Sequence, residues 1–128
     1  MELNAITGEI IRCSMLIHTE LGPGLLESVY KECLAYELTQ SGFFVEKEKS
    51  YPLIYKGVMM ESGFRLDLLV NNRVVVEIKS QPNLAEVHFA QTLTYLKITN
   101  CQVGLLINFN VKHLKEGIRR IVHNYQEP

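Results

Sequence analysis

The sequence predicts an α/β sandwich built on a mixed β-sheet, and three observations carry that prediction. Two helical stripes of apolar residues open the chain, short strands follow, and a third helical stripe then leads into a continuous apolar run. With 128 residues, 47% of them hydrophobic, the chain has material for one domain with a real core.

Each element has its own local reason. Residues 4 to about 20 set Ile6, Ile10, Ile17 and Leu21 on one helical stripe, with Asn4 as the expected N-cap. Leu21-Gly-Pro-Gly24 breaks this helix, and a second is expected from about 25 to 40, ended by Ser41-Gly42. Two short strands are expected near 43–49 and 51–56. A third helix reads over 84–98, with Ala85, Phe89, Leu93 and Leu96 on its buried stripe. Residues 102–108 form the near-continuous apolar run of a central strand covered on both faces. Over 113–123 the pattern allows either a helix or a short strand.

Between the short strands and the third helix lies Gly63-Phe-Arg-Leu-Asp-Leu-Leu-Val-Asn-Asn-Arg-Val-Val-Val-Glu-Ile-Lys-Ser80. Its polarity reads as a hairpin. A two-residue turn at Asn71-Asn72 would pair 66 with 77 and place Glu77 among leucines. A three-residue loop, Asn71 to Arg73 with an Asn in the left-handed conformation, pairs 70 with 74 and 67 with 77 instead. One face then carries Phe64, Leu66, Leu68 and Val70. The other sets Asp67 opposite Glu77, with Lys79 two residues along. Opposed like charges are unfavourable on a sheet, so a compensating group is expected. Hard oxygen ligands on strands suit Mg2+ or Mn2+, with Lys79 placed to orient a water or hold negative charge. The plain alternative is an exposed sheet face on which Lys79 neutralises both acids.

Composition narrows the classes. A net charge of −1 argues against a strongly basic nucleic-acid binder, so any grip on phosphate must be local. Lys112, Lys115, Arg119 and Arg120, with Lys47 and Lys49, are the candidates, beside the alternative of a solvated face. Neither a charged-then-apolar leader nor an apolar run near the roughly 20 residues of a membrane helix is visible. Cys13, Cys33 and Cys101 lack a Cys-x-x-Cys spacing and fit free thiols in a reducing compartment, so a cytoplasmic location is expected.

Two further polar groups stand out. Glu27 falls in the first turn of the second helix, three and seven residues before Tyr30 and Leu34, and leans toward a partly buried face. The helix dipole alone also favours an acid there. His88, Gln91 and Tyr95 form a polar stripe at i, i+3 and i+7 of the third helix.

Gly24-Leu-Leu-Glu-Ser-Val-Tyr30 resembles the motif of the GxxExxY family, a branch of the PD-(D/E)XK nuclease superfamily, and Gln91-Thr-Leu-Thr-Tyr95 is similar to the QxxxY motif of other branches. The likeness runs from the first helix through 104–109 to 117–120. It implies a PD-(D/E)XK nuclease-like αβββαβ core, a central mixed sheet flanked by helices. It also implies a metal-dependent nuclease, with Asp67, Glu77, the carbonyl of Ile78 and Glu27 at a Mg2+ or Mn2+ site and Lys79 as the catalytic lysine. Gln91 and Tyr95 would orient the metal shell or the scissile phosphate. Arg65-Leu66 stands where the superfamily's name-giving Pro would precede the Asp. The partner implied is DNA or RNA, and with no separate recognition domain in so small a chain a homodimer or a partner protein is expected to help cover it. The other class left open is a non-hydrolytic module that binds nucleic acid or protein.

Overall fold

The computed structural model describes residues 1–126. Its elements are α1 (Leu3–Leu21), α2 (Glu27–Gln40), β1 (Val45–Tyr55), β2 (Val58–Val70), β3 (Val74–Lys79), α3 (Glu86–Thr99), β4 (Val103–Asn108), a 3-10 turn (Leu114–Gly117) and β5 (Ile118–Val122). The five strands form one sheet in the order β1-β2-β3-β4-β5. All neighbours are antiparallel except β3 and β4, which run parallel and are joined by α3, the kind of crossover a parallel pair needs.

Two apolar layers clothe the sheet. On one face, Ile6, Ile10, Cys13 and Ile17 of α1 and Tyr30, Leu34 and Leu38 of α2 pack on Val74, Val76 and Ile78 of β3 and on Val103, Leu105 and Ile107 of β4. On the other, Leu96 of α3 packs with Leu66, Leu69, Val75 and Cys101. Every residue of β4 is buried, as its continuous apolar run requires of a strand covered on both sides.

Several local expectations shift. α1 starts at Leu3 and Asn4 does not cap it; Asn4 Oδ1 instead accepts a hydrogen bond from Arg120 Nη2 at 2.9 Å, a tertiary partner displacing the local one. α2 starts at Glu27, because the Tyr30 hydroxyl holds the preceding turn open: it donates to Gly22 O at 2.6 Å and accepts from Leu25 N at 3.1 Å. α3 starts at Glu86, where His88 Nδ1 accepts from the Ala85 N–H at 2.9 Å; Ala85 is therefore exposed, and Thr92 and Leu96 carry the fully buried stripe. Over 113–123 the chain forms both a 3-10 turn and a strand.

The two short strands expected at 43–49 and 51–56 are one strand, β1, joined to a 13-residue β2 through Lys56 and Gly57, both at positive φ. Only Leu68 to Val70 of β2 pair with β3, so the rest of β2 leaves the sheet as a two-stranded arm with β1.

The expected aliphatic face of β2 does not form. Leu68 and Val70 pack toward α1 and α2, whereas Phe64 and Leu66 pack toward α3. The β1–β2 register is the same on both sides of this change, yet the Glu48/Asp67 pair is missing from the ladder, and Glu48 sits at φ +50°. A left-handed residue turns the strand over without slipping it, so both strands change face at this level.

Candidate metal centre

Asp67 therefore lies where β2 parts from β3 and reverses its face. The loop of Asn71, Asn72 and Arg73 has the three residues expected, with both asparagines left-handed, and Val70 pairs with Val74. The ladder stops at Leu68 and Val76. One step further, side chains replace backbone partners. The Asp67 N–H donates to Glu77 Oε2 at 2.9 Å, and the Ile78 N–H donates to Asp67 Oδ2 at 2.8 Å. Each carboxylate is thus oriented through one oxygen by the other's strand.

Each keeps its second oxygen. Among the described residues, Asp67 Oδ1 meets only Lys31 Nζ, at 3.8 Å, and Glu77 Oε1 takes no hydrogen bond. Every fully buried side-chain oxygen or nitrogen among the described residues has a partner, so Glu77 Oε1 opens to solvent. Glu77 as a whole is 3% exposed, which removes the plain reading of a solvated sheet face. Burial first, and the Asp67 charge second, push its carboxyl up to about 8.

A third oxygen faces the same gap. In an extended strand the N–H and C=O of one residue point to the same side. The Ile78 N–H serves Asp67, so its carbonyl looks toward the departing β2, while the Lys79 carbonyl accepts from Phe109 N at 2.9 Å on the β4 side. Two oriented carboxylates and a backbone carbonyl are an all-oxygen donor set that fits a hard divalent cation keeping several waters. Among the described residues no three His, Cys, Asp or Glu side chains converge on one point.

Glu27 accordingly does not join the two acids. It opens α2, exposed and not leaning into a buried face as expected, and borders a cleft with Gly24, Ser80 and Asn110. That cleft adjoins the end of β3, where Ser80 Oγ donates to Leu25 O at 2.5 Å. The side chain that does reach the acids from α2 is Lys31, one turn after Glu27, only 17% exposed and also 3.2 Å from Glu48 Oε1. No spacing signal pointed to Lys31. Its partners Glu48 and Asp67 lie 17 and 36 positions away.

Lys79 follows Glu77 by two residues on the α3 side of β3, half-buried. Tyr95 lies close enough that, after burial, the Glu77 and Asp67 charges also raise its hydroxyl's pKa. Its ring stacks on Phe64 at 4.7 Å. Gln91 stands exposed one helical turn earlier.

The expected basic residues do not form one patch. Arg119 pairs with Leu106, which pairs with Glu77, so it shares Glu77's level and face two strands away, roughly 10 Å across the sheet. Arg120 is on the opposite face, bound to Asn4 and Thr7 of α1. Lys112 and Lys115 border a hollow at the end of α1. Lys49 is paired with Glu46 at 2.8 Å, and Lys47 borders a hollow beside α2. No helix of the described residues is long and apolar enough to cross a membrane.

Comparison with known proteins gives a family. Residues 4–121 match the model of the PD-(D/E)XK nuclease superfamily, and the chain belongs to that superfamily. No curated protein and no solved structure matches. Nucleases of this superfamily act on nucleic acid and generally use divalent metals, and the five-stranded mixed sheet with three helices agrees with their fold.

Proposed function

We propose that this member of the superfamily hydrolyses phosphodiester bonds of DNA or RNA with Mg2+ or Mn2+. One observation carries the reading: Asp67 and Glu77 are locked by reciprocal bonds to each other's strand, which leaves the second oxygen of each without a hydrogen bond among the described residues, that of Asp67 meeting Lys31 at 3.8 Å, at a splayed sheet edge. A purely structural pair would have no reason to keep Glu77 buried beside another acid.

Asp67, Glu77 and the Ile78 carbonyl would hold the metal, with Glu27 at the rim of the site. The cation, when bound, neutralises phosphate charge and makes a coordinated water more acidic. Lys79 holds charge on the scissile phosphate and orients the attacking water. Gln91 and Tyr95 position the phosphate from α3, and Arg119, at the level of Glu77, holds a neighbouring backbone phosphate. Lys112, Lys115 and Arg120 extend that grip less directly. The left-handed Gly24 (φ +97°), Glu27 at the start of α2 and the loop-clamping Tyr30 support placing the chain in the GxxExxY branch. We read the whole chain as one domain. Its free cysteines suit the cytoplasm, and a homodimer would widen its footprint on nucleic acid.

The second reading is a metal-independent binding module. It is favoured by Lys31, whose ammonium stands 3.8 Å from Asp67 Oδ1 and supplies positive charge there without a metal. Calorimetric titration with MgCl2 and MnCl2, alongside cleavage of single- and double-stranded DNA and RNA, separates the two. Wild type should bind metal and cut, and Asp67→Ala should do neither. A wild type that binds oligonucleotide equally in EDTA and Mg2+, and cuts nothing, would replace the enzyme by the binder.

A further inference from the structure

The arm of β1 and β2 carries a feature that the chemistry above does not use. Tyr51 and Phe64 face each other across it, and their rings stack at 5.8 Å with planes 17° apart. Phe64 in turn stacks on Tyr95 at 4.7 Å and 10°. Three near-parallel rings thus run from the arm to the tyrosine beside the acids, and Tyr51 ends the stack.

A built hollow lies at that end. Its volume is about 780 Å3, and Tyr51, Pro52, Met60, Glu61, Gly63 and Phe64 are among its lining. A bulge shapes it: Tyr51 pairs with Phe64 but Leu53 pairs with Met60, so Pro52 alone spans Glu61, Ser62 and Gly63. Gly63 is needed for this bend, since a Cβ there would sit 2.1 Å from Tyr51 O. Arg65 is also in the lining and offers a phosphate contact.

Aromatic rings in series, a concave bulge and a guanidinium match the chemistry of an unpaired nucleotide, whose base stacks while its phosphate is held. A base pair inside a duplex has both faces covered and cannot extend the stack. Resting on the nuclease reading, we propose that this hollow seats an unpaired base of the nucleic acid, stacked on the Tyr51 end, so that the strand runs along the arm toward Asp67 and Glu77. The substrate class is therefore single-stranded nucleic acid, or a duplex with an unpaired end or flap.

The test uses the whole protein in Ca2+ and a 15-mer single strand carrying 5-iodouracil at one position per oligonucleotide, with photo-crosslinks mapped by mass spectrometry. Crosslinks should fall on the peptide holding Tyr51 or the one holding Phe64. In fluorescence anisotropy Tyr51→Ala should weaken the single strand about tenfold or more and leave a blunt duplex unchanged, with Tyr51→Phe close to wild type. The crosslinks use wild type, so they decide even where Tyr51→Ala loses its fold. Crosslinks that all lie elsewhere, equal losses for single strand and duplex, or a wild type that binds no single strand would each overturn the proposal. So would a dimer disrupted by Ile54→Lys and Met59→Lys while oligonucleotide binding stays intact, because the arm would then belong to a second copy. Metal-dependent cleavage without an arm crosslink would sink this inference and leave the nuclease reading standing.

Discussion

The two halves of β2 make the sharpest contrast in the molecule. From Leu68 to Val70 the strand has neighbours on both edges and helices over both faces, and all three residues are at most 1% exposed. From Val58 to Leu66 it has only β1, and at the tip Val58 and Met59 are 58% and 66% exposed. The apolar residues at the tip, Val58 and Met59, are of much the same kind as Leu68 to Val70, so their difference in exposure comes from what each meets. Where strands and helices are complete, an apolar side chain is core, and Leu66 stays core under α3 even without β3; at the tip, with neither β3 nor a helix, the same kind of side chain becomes surface available for binding. Asp67 marks the boundary. There the backbone lacks a ladder partner, and the carboxylates take its place.

If chemistry belongs to that boundary, the largest effect should arise next to it. Lys79→Ala should lower cleavage about 10²- to 10³-fold, the usual loss when one group stabilising transition-state charge is removed. The rise in melting temperature on adding metal should survive, since Lys79 is not a ligand. Undiminished cleavage would remove the lysine from the mechanism.

The contrast itself predicts unequal costs for similar truncations. Leu68→Ala, in the closed half, should cost about 2–5 kcal/mol in urea unfolding. Met59→Ala, on the arm, should stay within about 0.5 kcal/mol. Comparable losses would show the arm to be packed as tightly as the sheet.

A third measurement probes the buried acid. Glu77 is held at about 8 in the folded state, against an ordinary 4.5. Between those values the folded chain keeps a proton that the unfolded chain has released, so stability falls as pH rises across the window. Glu77→Gln should abolish that fall. The variant should match wild type near pH 4.5 and exceed it by roughly 3 kcal/mol at neutral pH. Parallel pH profiles for the two proteins would refute the assignment of burial as the cause.

The smallest effect concerns the turnover of the strands. Glu48→Gly should leave stability unchanged or raise it by up to about 1 kcal/mol, because glycine adopts the left-handed conformation at no steric cost. Glu46→Gly, in ordinary strand conformation, should destabilise by a similar amount. If both substitutions destabilise equally, Glu48 holds the fold through its bond to Lys31 and not through its backbone.

Much of the site was legible along the chain, and the reasons are local. Asn71-Asn72-Arg73 specifies its own loop, and that loop brings Asp67 level with Glu77, while strand alternation puts Lys79 on Glu77's face. The stripes of α1 and the apolar run of β4 likewise follow from periods of 3.6 and from continuous hydrophobicity. Less legible were the ends of helices. Asn4 turned to Arg120, and Tyr30 held Leu25 and Leu26 out of α2. A cap and a tertiary hydrogen bond compete for the same side chain at similar energies, and the sequence does not show the rival.

From its own residues, then, the chain determined its three helices, the apolar strand β4, the fold class, the hairpin loop and the placing of two acids with a lysine. Only the tertiary structure decided that Glu27 stays outside the acid pair while Lys31 reaches in, that Phe64 and Leu66 join the α3 side, and that the arm stands clear with an aromatic stack pointing back to the acids. The physical reason is the range of the interactions involved. Periodicity and turn chemistry act between residues a few positions apart, whereas the face that a strand presents beyond its last paired neighbour depends on a helix dozens of residues away.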